Sequence, residues 1–283
     1  MTIYHNEAIR EAAQLIASAD ALLIGAGAGM GVDSGLPDFR GNEGFWRAYP
    51  RFRHLGLSFT DLANPRWFYD DPAQAWGFYG HRYNLYRRTE PHPGFAILRR
   101  WSQEKELGGF VFTSNVDGHF QKAGVDEARV IECHGSINHL QCLESCSEEI
   151  WPAEIDVDVD EEMLRARGVL PQCPRCGGAA RPNILMFGDF GWNPRRCDGQ
   201  QQRYNLWLRQ LRERNAKLVA IELGAGVAVP TVRYECEGRA AQFDDARLVR
   251  INPRDRQAPR GSVVIGGTAL ESLPAIDAVI GGA

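Results

Sequence analysis

Short apolar runs, separated by longer stretches with helical periodicity, form the main pattern along the chain. Before the first run, at 21–25, apolar residues recur at helical spacing: Ile9, Ala12, Ala13, Leu15 and Ile16. Further apolar runs follow at 110–113, 129–133, 218–223, 247–251 and 262–265. Strands that alternate with helices and lead into Gly- or Asn-containing loops are typical of a doubly wound parallel sheet. The pattern therefore predicts an α/β fold with a Rossmann-like sheet, which binds ligands beyond the carboxyl ends of its strands.

Two segments depart from this alternation. Residues 42–100 are rich in aromatic side chains with a helical pattern, and residues 139–185 hold paired cysteines around an acidic stretch. We expect one sheet domain, made of 1–41, 101–138 and 186–283, from which the two segments emerge. A helical segment and a metal-binding module would then pack together as a smaller domain.

Composition and charge narrow the class of protein. The 283 residues are 44% hydrophobic and 24% charged, which excludes wholesale disorder. A net charge of −4 does not provide the excess of positive charge that binding to nucleic acid or an anionic membrane requires, so neither is an expected partner. The longest nearly apolar run, 21–32, is too short for a bilayer span, and the first residues lack the features of a signal peptide. We expect a cytoplasmic protein whose oligomeric state the sequence leaves open.

A glycine-rich stretch, GAGAGMGVDSGLPDFRG at 25–41, follows the first predicted strand. Glycines in this place let backbone amides approach a phosphate closely. The strict G-x-G-x-x-G spacing is absent, so a plain strand-to-helix turn is an equal alternative on this motif alone. Asp38, Phe39 and Arg40 follow the turn. Their carboxylate, ring and guanidinium are suited to hold a carboxamide, cover a ring and bind an anion beside a dinucleotide.

Four of the seven cysteines form two pairs. Cys142 and Cys146 are followed, after 26 residues, by Cys173 and Cys176. An odd cysteine count argues against a disulfide framework, and four thiolates make a closed tetrahedral zinc site. The alternative of unliganded buried thiols is disfavoured, because 172–178 is polar and turn-rich. The sequence predicts structural zinc.

Several motifs occur together in one order along nearly the whole chain. They are Gly27-Ala28-Gly29 with GLPDFR at 35–40, TSNVD at 113–117, His134-Gly135 and RPNILMFGD at 181–189. In this the chain resembles the sirtuins, the NAD-dependent protein lysine deacylases. The resemblance implies NAD as co-substrate, acyl-lysine proteins or peptides as substrates, and nicotinamide and O-acyl-ADP-ribose as products.

The resemblance also implies roles for individual residues. His134 would be the base, since an imidazole can take a proton from a ribose hydroxyl at neutral pH. Asn115 and Asp117 would bind the nicotinamide ribose and carboxamide. The expected cofactor-binding residues are Gly27, Ala28, Gly29, Asp38, Phe39, Arg40, Ser114, Asn115, Val116, Asp117, His134, Gly224, Ala225, Gly226, Asn252 and Ala269. The expected substrate strand, which pairs with the peptide, is Leu185, Met186, Phe187 and Gly188.

Tyr79 and Arg82 are three residues apart, so they share one face of a helix. A phenol beside a guanidinium can bind a carboxylate. The pair resembles that of the sirtuins that remove succinyl and malonyl groups, which implies a preference for negatively charged acyl chains. The alternative is a core tyrosine beside a solvated arginine.

Five residues, at four places in the sequence, depart from the family pattern. Gly31 replaces a serine, Ser114 a glutamine and Ala225-Gly226 a Thr-Ser pair, while Asp189 replaces a glutamate. Each lost side-chain hydrogen bond costs about 0.5–1.5 kcal/mol, so NAD binding would weaken unless other contacts compensate. Other activities therefore stay open: an NAD glycohydrolase, an ADP-ribosyltransferase, or a non-catalytic NAD-sensing module.

Overall fold

The structure, a computed structural model, describes residues 2–38 and 42–282, without the side chains of 2–5 and 42. Its strands are β1 (Ala21–Ala26), β2 (Gly109–Thr113), β3 (Val130–Glu132), β4 (Gly135–Cys142), β5 (Ile150–Pro152), β6 (Val159–Asp160), β7 (Arg165–Ala166), β8 (Ala180–Ile184), β9 (Leu218–Leu223), β10 (Arg247–Ile251) and β11 (Val263–Ile265). Its helices are α1 (Thr2–Ala17), α2 (Ala28–Val32), α3 (Asn42–Ala48), α4 (Pro50–His54), α5 (Phe59–Leu62), α6 (Trp67–Asp70), α7 (Pro72–Arg88), α8 (Gly94–Glu104), α9 (His119–Lys122), α10 (Arg195–Glu213), α11 (Thr231–Gln242) and α12 (Ala269–Gly281). None of these helices has the length and apolar character needed to cross a bilayer.

Six parallel strands form the main sheet, in the order β11-β10-β9-β1-β2-β3. The chain builds the sheet outward from β1 to β3, then returns to β9 and builds in the opposite direction. The direction reverses between β1 and β9, and a crevice for ligands opens at such a switch point. The predicted α/β fold with a Rossmann-like parallel sheet is confirmed.

Both faces of the main sheet are covered by helices. On one face α1, α8 and α12 bury Ile16, Leu98 and Leu273 against Leu22 and Ile24 of β1. On the other face the helices α10 and α11 bury apolar side chains against the alternate residues of the strands: Tyr204, Trp207, Val232 and Cys236. Because both faces are buried, the strands are continuous apolar runs rather than alternating ones.

A second core joins the aromatic segment to the cysteine-bearing segment. Helices α3 to α7 pack against the antiparallel sheet β5-β4-β8 and the small sheet β6-β7. The helix α7 approaches β7 so closely that a Cβ on Gly77 would lie 1.9 Å from the Leu164 carbonyl oxygen. Large rings fill the interior: Phe45, Phe52, Phe68, Trp76, Phe78 and Tyr79.

The packing of two elements bears on the expected domain boundaries. The helix α8, which the boundary at residue 100 divides, buries Phe95, Leu98 and Trp101 with the main sheet. Strand β4 begins at Gly135, before the expected boundary at 139, and buries Ile137 and Leu140 in the second core. We therefore propose that the smaller domain comprises 42–93 and 135–185.

Candidate functional site

The turns after β1 and β9 touch each other at the switch point. The Gly27 N–H donates to the Leu223 carbonyl at 2.9 Å, and the Gly29 N–H donates to the Gly224 carbonyl at 3.0 Å. A Cβ on Gly224 (φ +57°) would lie 2.5 Å from Gly29 Cα, and one on Gly27 would lie 2.5 Å from Ala225 Cα. Only glycine fits at either position. The two turns therefore present bare backbone at the crevice, as a close approach to a pyrophosphate requires.

The residues after β2 are bonded directly to the first turn. Thr113 Oγ1 donates to the Ala26 carbonyl at 2.9 Å and accepts from the Asn115 N–H at 3.0 Å. Asn115 Nδ2 donates to the Gly27 carbonyl at 3.0 Å, and the Ser114 N–H donates to the Ala26 carbonyl at 3.2 Å. These bonds set the position of Asn115 beside the glycine turn.

Asp117 lies against the first helix of the crevice. Its Oδ1 accepts from the His119 N–H at 2.9 Å. A Cβ on Gly31 would stand 3.2 Å from Asp117 Oδ2, so the glycine at this position leaves space beside the carboxylate. Val116 joins the crevice to the smaller domain, because its carbonyl accepts from the Ile137 N–H at 2.9 Å.

His134 occupies the short link between β3 and β4. Its side chain is half-buried, and burial lowers its pKa below the usual value, while a hydrogen bond to the Ser114 backbone acts in the opposite direction. The ring is therefore neutral at neutral pH and able to accept a proton. The His134 carbonyl accepts from the Leu185 N–H at 2.9 Å, which ties this histidine to the expected substrate strand.

The expected substrate strand is held from several sides. The Phe187 N–H donates to the Ala63 carbonyl at 2.8 Å, and the Met186 N–H donates to Asp189 Oδ2 at 3.2 Å. Met186 is buried, whereas Leu185 and Phe187 are exposed. Gly188 adopts a positive φ of +67°, which turns the chain away after the strand.

Asn252 uses its side chain to shape the crevice wall. Its Nδ2 donates to the Ala225 carbonyl at 2.9 Å, and its Oδ1 accepts from the N–H groups of Arg254 and Asp255 at 3.0 Å each. Ala269 starts α12 and donates its N–H to Asp33 Oδ2 at 2.7 Å. In this structure Asn252 fixes the turn through Ala225-Gly226.

Asp38 forms an ion pair that the sequence did not indicate. Its Oδ2 lies 3.2 Å from Arg254 Nη2, which joins the loop after α2 to the loop after β10. Phe39 and Arg40, the other two expected residues of this loop, lie outside the described residues.

Tyr79 and Arg82 both lie in the interior of the smaller domain. Arg82 is 5% exposed, its Nε donates to the Tyr86 hydroxyl at 3.0 Å, and its guanidinium lies 5.3–5.8 Å from the rings of Phe78, Tyr79, Tyr86 and Phe59. Tyr79 is thus a core residue, as the alternative held, but the arginine beside it is buried rather than solvated. Burial raises the pKa of Tyr79 to about 12, and its hydroxyl has no hydrogen-bond partner among the described residues. The tyrosine at i+4 from Arg82 was visible in the sequence, but its role was not anticipated.

The four paired cysteines converge at the end of β4. Their sulfur atoms all lie within 4.8 Å of one another, with 3.8 Å between Cys142 and Cys176 and 3.6 Å between Cys146 and Cys173. Tetrahedral Zn–S bonds of about 2.3 Å place two sulfurs about 3.8 Å apart, so the cluster fits zinc. The Gly178 N–H donates to Cys176 Sγ at 3.4 Å, a bond typical of a thiolate knuckle. Four thiolates would fill all four coordination positions of a tetrahedral zinc ion, which marks the site as structural.

A cavity of about 810 Å³ lies away from the crevice, at the junction of β4, β5 and α10. Its lining includes His139, Arg175 and Arg196, and none of the expected catalytic or cofactor residues. The geometry at the strand ends, rather than cavity size, therefore identifies the candidate site.

Comparisons with known proteins agree with this geometry. A family model described as the Sir2 family matches residues 27–196. An NAD-dependent protein deacylase 2 of Pyrobaculum aerophilum is 31% identical over 264 residues, which cover 93% of this chain and 92% of the relative. An NAD-dependent protein deacylase of Thermococcus kodakarensis is 30% identical over 266 residues, with the same coverage of 93% and 92%.

Solved structures give the same result for the fold. A structure from work on the mechanism and regulation of Sir2 enzymes has a TM-score of 0.64 and 26% identity, and the match covers 98% of each chain. A complex of a Sir2 homologue with NAD has a TM-score of 0.67 and 24% identity, over 96% of this chain and 94% of the other.

Proposed function

Because this chain belongs to the Sir2 family, we propose that it is an NAD-dependent protein lysine deacylase that releases nicotinamide and O-acyl-ADP-ribose. The observation that carries the proposal is the position of Ser114 and Asn115. Asn115 is bonded to the Gly27 turn, and the Ser114 backbone lies at the ring of His134. The expected nucleotide site and the expected base are therefore linked through two consecutive residues, Ser114 and Asn115.

The chain's own residues have separable tasks in this reaction. The backbone of the Gly27 and Gly224 turns would bind the pyrophosphate, and Asn115 and Asp117 would orient the ribose and carboxamide. When bound, NAD would supply an electrophilic sugar carbon to the acyl oxygen of the substrate lysine, with nicotinamide as the leaving group; water would complete the acyl transfer and the lysine amine would be released. Neutral His134 would take a proton from a ribose hydroxyl. Since such a site acts mainly by placing the reactants, it needs no protein nucleophile.

We propose a preference for a negatively charged acyl group, such as succinyl or malonyl. A carboxylate could accept hydrogen bonds from the Tyr79 hydroxyl and from the guanidinium of Arg82, which share one helix face. The surroundings of Arg82 extend to the expected substrate strand. The ring of Phe59 lies 5.8 Å from the Arg82 guanidinium and 6.1 Å from the ring of Phe187.

One experiment separates this proposal from the other activities of such a site. Purified protein is incubated with NAD and with acetyl- and succinyl-lysine peptides, and nicotinamide is measured. Release that requires peptide and yields O-acyl-ADP-ribose supports deacylation. Release without peptide would indicate an NAD glycohydrolase, label transfer to protein an ADP-ribosyltransferase, and binding without turnover an NAD sensor.

For the acyl preference, we expect Arg82→Met to lower kcat/KM for a succinyl peptide at least tenfold relative to the acetyl peptide, because a charged hydrogen bond is worth about 1.5–3 kcal/mol. Arg87→Met is the matched control, since Arg87 lies on the same helix, donates to the Tyr83 hydroxyl at 2.8 Å and is exposed. The control should leave the ratio of the two activities unchanged. Equal losses on both peptides in Arg82→Met would contradict a charge-specific role.

A further inference from the structure

The segment 185–190, which we name the aromatic loop, exposes an unusual set of apolar side chains beside the expected substrate strand. Leu185 is 39% exposed, Phe187 41% and Phe190 fully exposed at 102%. Tyr69 of α6 is also exposed, and its hydroxyl donates to the Leu143 carbonyl at 3.4 Å. Phe190 contributes nothing to either core, so folding does not explain a phenylalanine at this position.

The aromatic loop is fixed rather than loose. The side chain of Asp189 is completely buried and forms a two-point ion pair with Arg181, with 2.9 Å between Nη1 and Oδ1. The same carboxylate accepts from the N–H groups of Met186 and Gly191 at 3.2 Å each. A second anchor is the bond from the Phe187 N–H to Ala63. The loop therefore holds its exposed rings on a rigid turn.

A fixed, exposed apolar surface is typical of a binding site. This surface is continuous with the expected substrate strand, of which Leu185 and Phe187 are members. The buried charges of Arg181 and Asp189 neutralise each other in an ion pair. The exposed rings thus offer area to an apolar side chain.

We propose that Phe190 is a specificity-determining residue that selects acyl-lysine peptides carrying a large apolar side chain close to the modified lysine. The inference rests on the proposed function, because it takes the occupant of the loop to be the substrate peptide. Phe190 follows the expected substrate strand by two residues, so we expect its ring to lie beside a peptide residue that flanks the acyl-lysine. The acyl group itself is recognised elsewhere, at Tyr79 and Arg82.

The test compares acyl-lysine peptides that differ only at the positions flanking the lysine, with tryptophan or leucine in one and serine in the other. Fluorescence anisotropy gives the Kd of each labelled peptide, and nicotinamide release gives kcat/KM. The wild-type protein should bind the apolar-flanked peptide about tenfold more tightly. Phe190→Ser should reduce this ratio to about one. Val169→Ser, which removes an 86% exposed apolar side chain elsewhere, should retain it.

The binding and turnover results distinguish a failure of the role of Phe190 from a failure of the proposed deacylase activity. Equal affinity for the two peptides in the wild type, a preference that survives Phe190→Ser, or no binding of either peptide would overturn the role of Phe190. Turnover without any flanking preference would reject this inference and leave the proposed deacylase intact. A binding preference lost in Phe190→Ser, without peptide-dependent nicotinamide release, would support the docking surface and reject the deacylase.

Discussion

Burial sets the protonation of the side chains on which the proposed chemistry depends. His134 is neutral because desolvation disfavours its charged form, and Arg82 keeps its charge although aromatic rings surround it. Burial likewise lowers the pKa of His92 to about 4, with a contribution from His119. The pKa values of His134 and His92 are thus shifted in the same direction, and the two histidines differ in their position. His134 lies at the crevice, whereas His92 Nδ1 accepts from the Gly94 N–H at 3.1 Å at the start of α8.

Replacing His134, the proposed base, should remove turnover without disturbing the fold. We expect His134→Asn to lower peptide-dependent nicotinamide release at least 100-fold, because a positioned general base contributes about 10²–10⁴. Since the pKa of His134 is lowered, activity in the wild type should fall only below pH 6.5, as the ring gains a proton. His54→Asn, at an exposed histidine, is the control. Normal turnover in His134→Asn would remove this residue from the mechanism.

His92 should make the folded state sensitive to acid. Below pH 6.5 the unfolded chain protonates this histidine, while the folded protein keeps it neutral down to about pH 4. The contribution of His92 to the free energy of unfolding is therefore complete above pH 6.5 and is lost as the pH falls, by about 2 kcal/mol at pH 5. His92→Asn keeps an acceptor for Gly94 and removes the titration. Urea unfolding at pH 7 and pH 5 should show a smaller loss for this variant, and equal losses would contradict the assignment.

At the scale of elements, the crevice is made where strand ends and tight turns meet. The Gly27 and Gly224 turns, from β1 and β9, hydrogen-bond to each other, and Thr113 and Asn115 at the end of β2 bond to the first turn. This arrangement follows from the parallel sheet, which brings the carboxyl ends of its strands to one edge. Glycine is required in these turns because the two turns touch each other, and the same bare backbone would allow a pyrophosphate to approach.

The turn contact can be tested with two glycines that share a left-handed conformation. Gly224 has a φ of +57°, and a Cβ added to it would lie 2.5 Å from Gly29 Cα. Gly56 has a φ of +67°, and a Cβ added to it would have no described neighbour within 4 Å. Alanine at either position incurs about 1–2 kcal/mol of backbone strain. We expect Gly224→Ala to lose clearly more stability than Gly56→Ala in urea unfolding, and to weaken NAD binding in calorimetry. Similar effects of the two variants would argue against the close contact.

At the scale of the whole molecule, the smaller domain is joined to the sheet domain through the residues of the proposed site. Strand β4 begins next to His134 and ends at Cys142 of the four-cysteine cluster, and β8 leads into the aromatic loop. The cluster therefore anchors the far ends of the two strands whose near ends border the crevice. Zinc would stabilise the site without touching it.

Metal removal should show this coupling. We expect about one zinc per chain, and removal with a chelator should lower Tm by about 5 °C or more, because structural zinc contributes several kcal/mol to folding. Cys173→Ser should lose zinc, whereas Cys197→Ser, outside the cluster, should retain it. Less than half an equivalent of zinc in fresh wild-type protein would count against the site.

The sequence by itself determined the sheet, the glycine turns and the ligand set for zinc. Apolar runs such as 218–223 identify buried strands, glycines after them identify turns, and the spacing of cysteines identifies a metal knuckle. All of these are local patterns, and the parallel sheet then gathers the strand ends without further information. The order of the motifs was enough to indicate the family.

Only the tertiary structure decided contacts between segments that are distant along the chain. It buried Arg82 among aromatic rings, paired Asp38 with Arg254, and directed the Asn252 side chain to the Ala225 carbonyl. It also assigned α8 to the main sheet. The local sequence of an amphipathic helix, or around a single charged residue, is the same whatever partner it packs against. The partner therefore depends on how the whole chain packs.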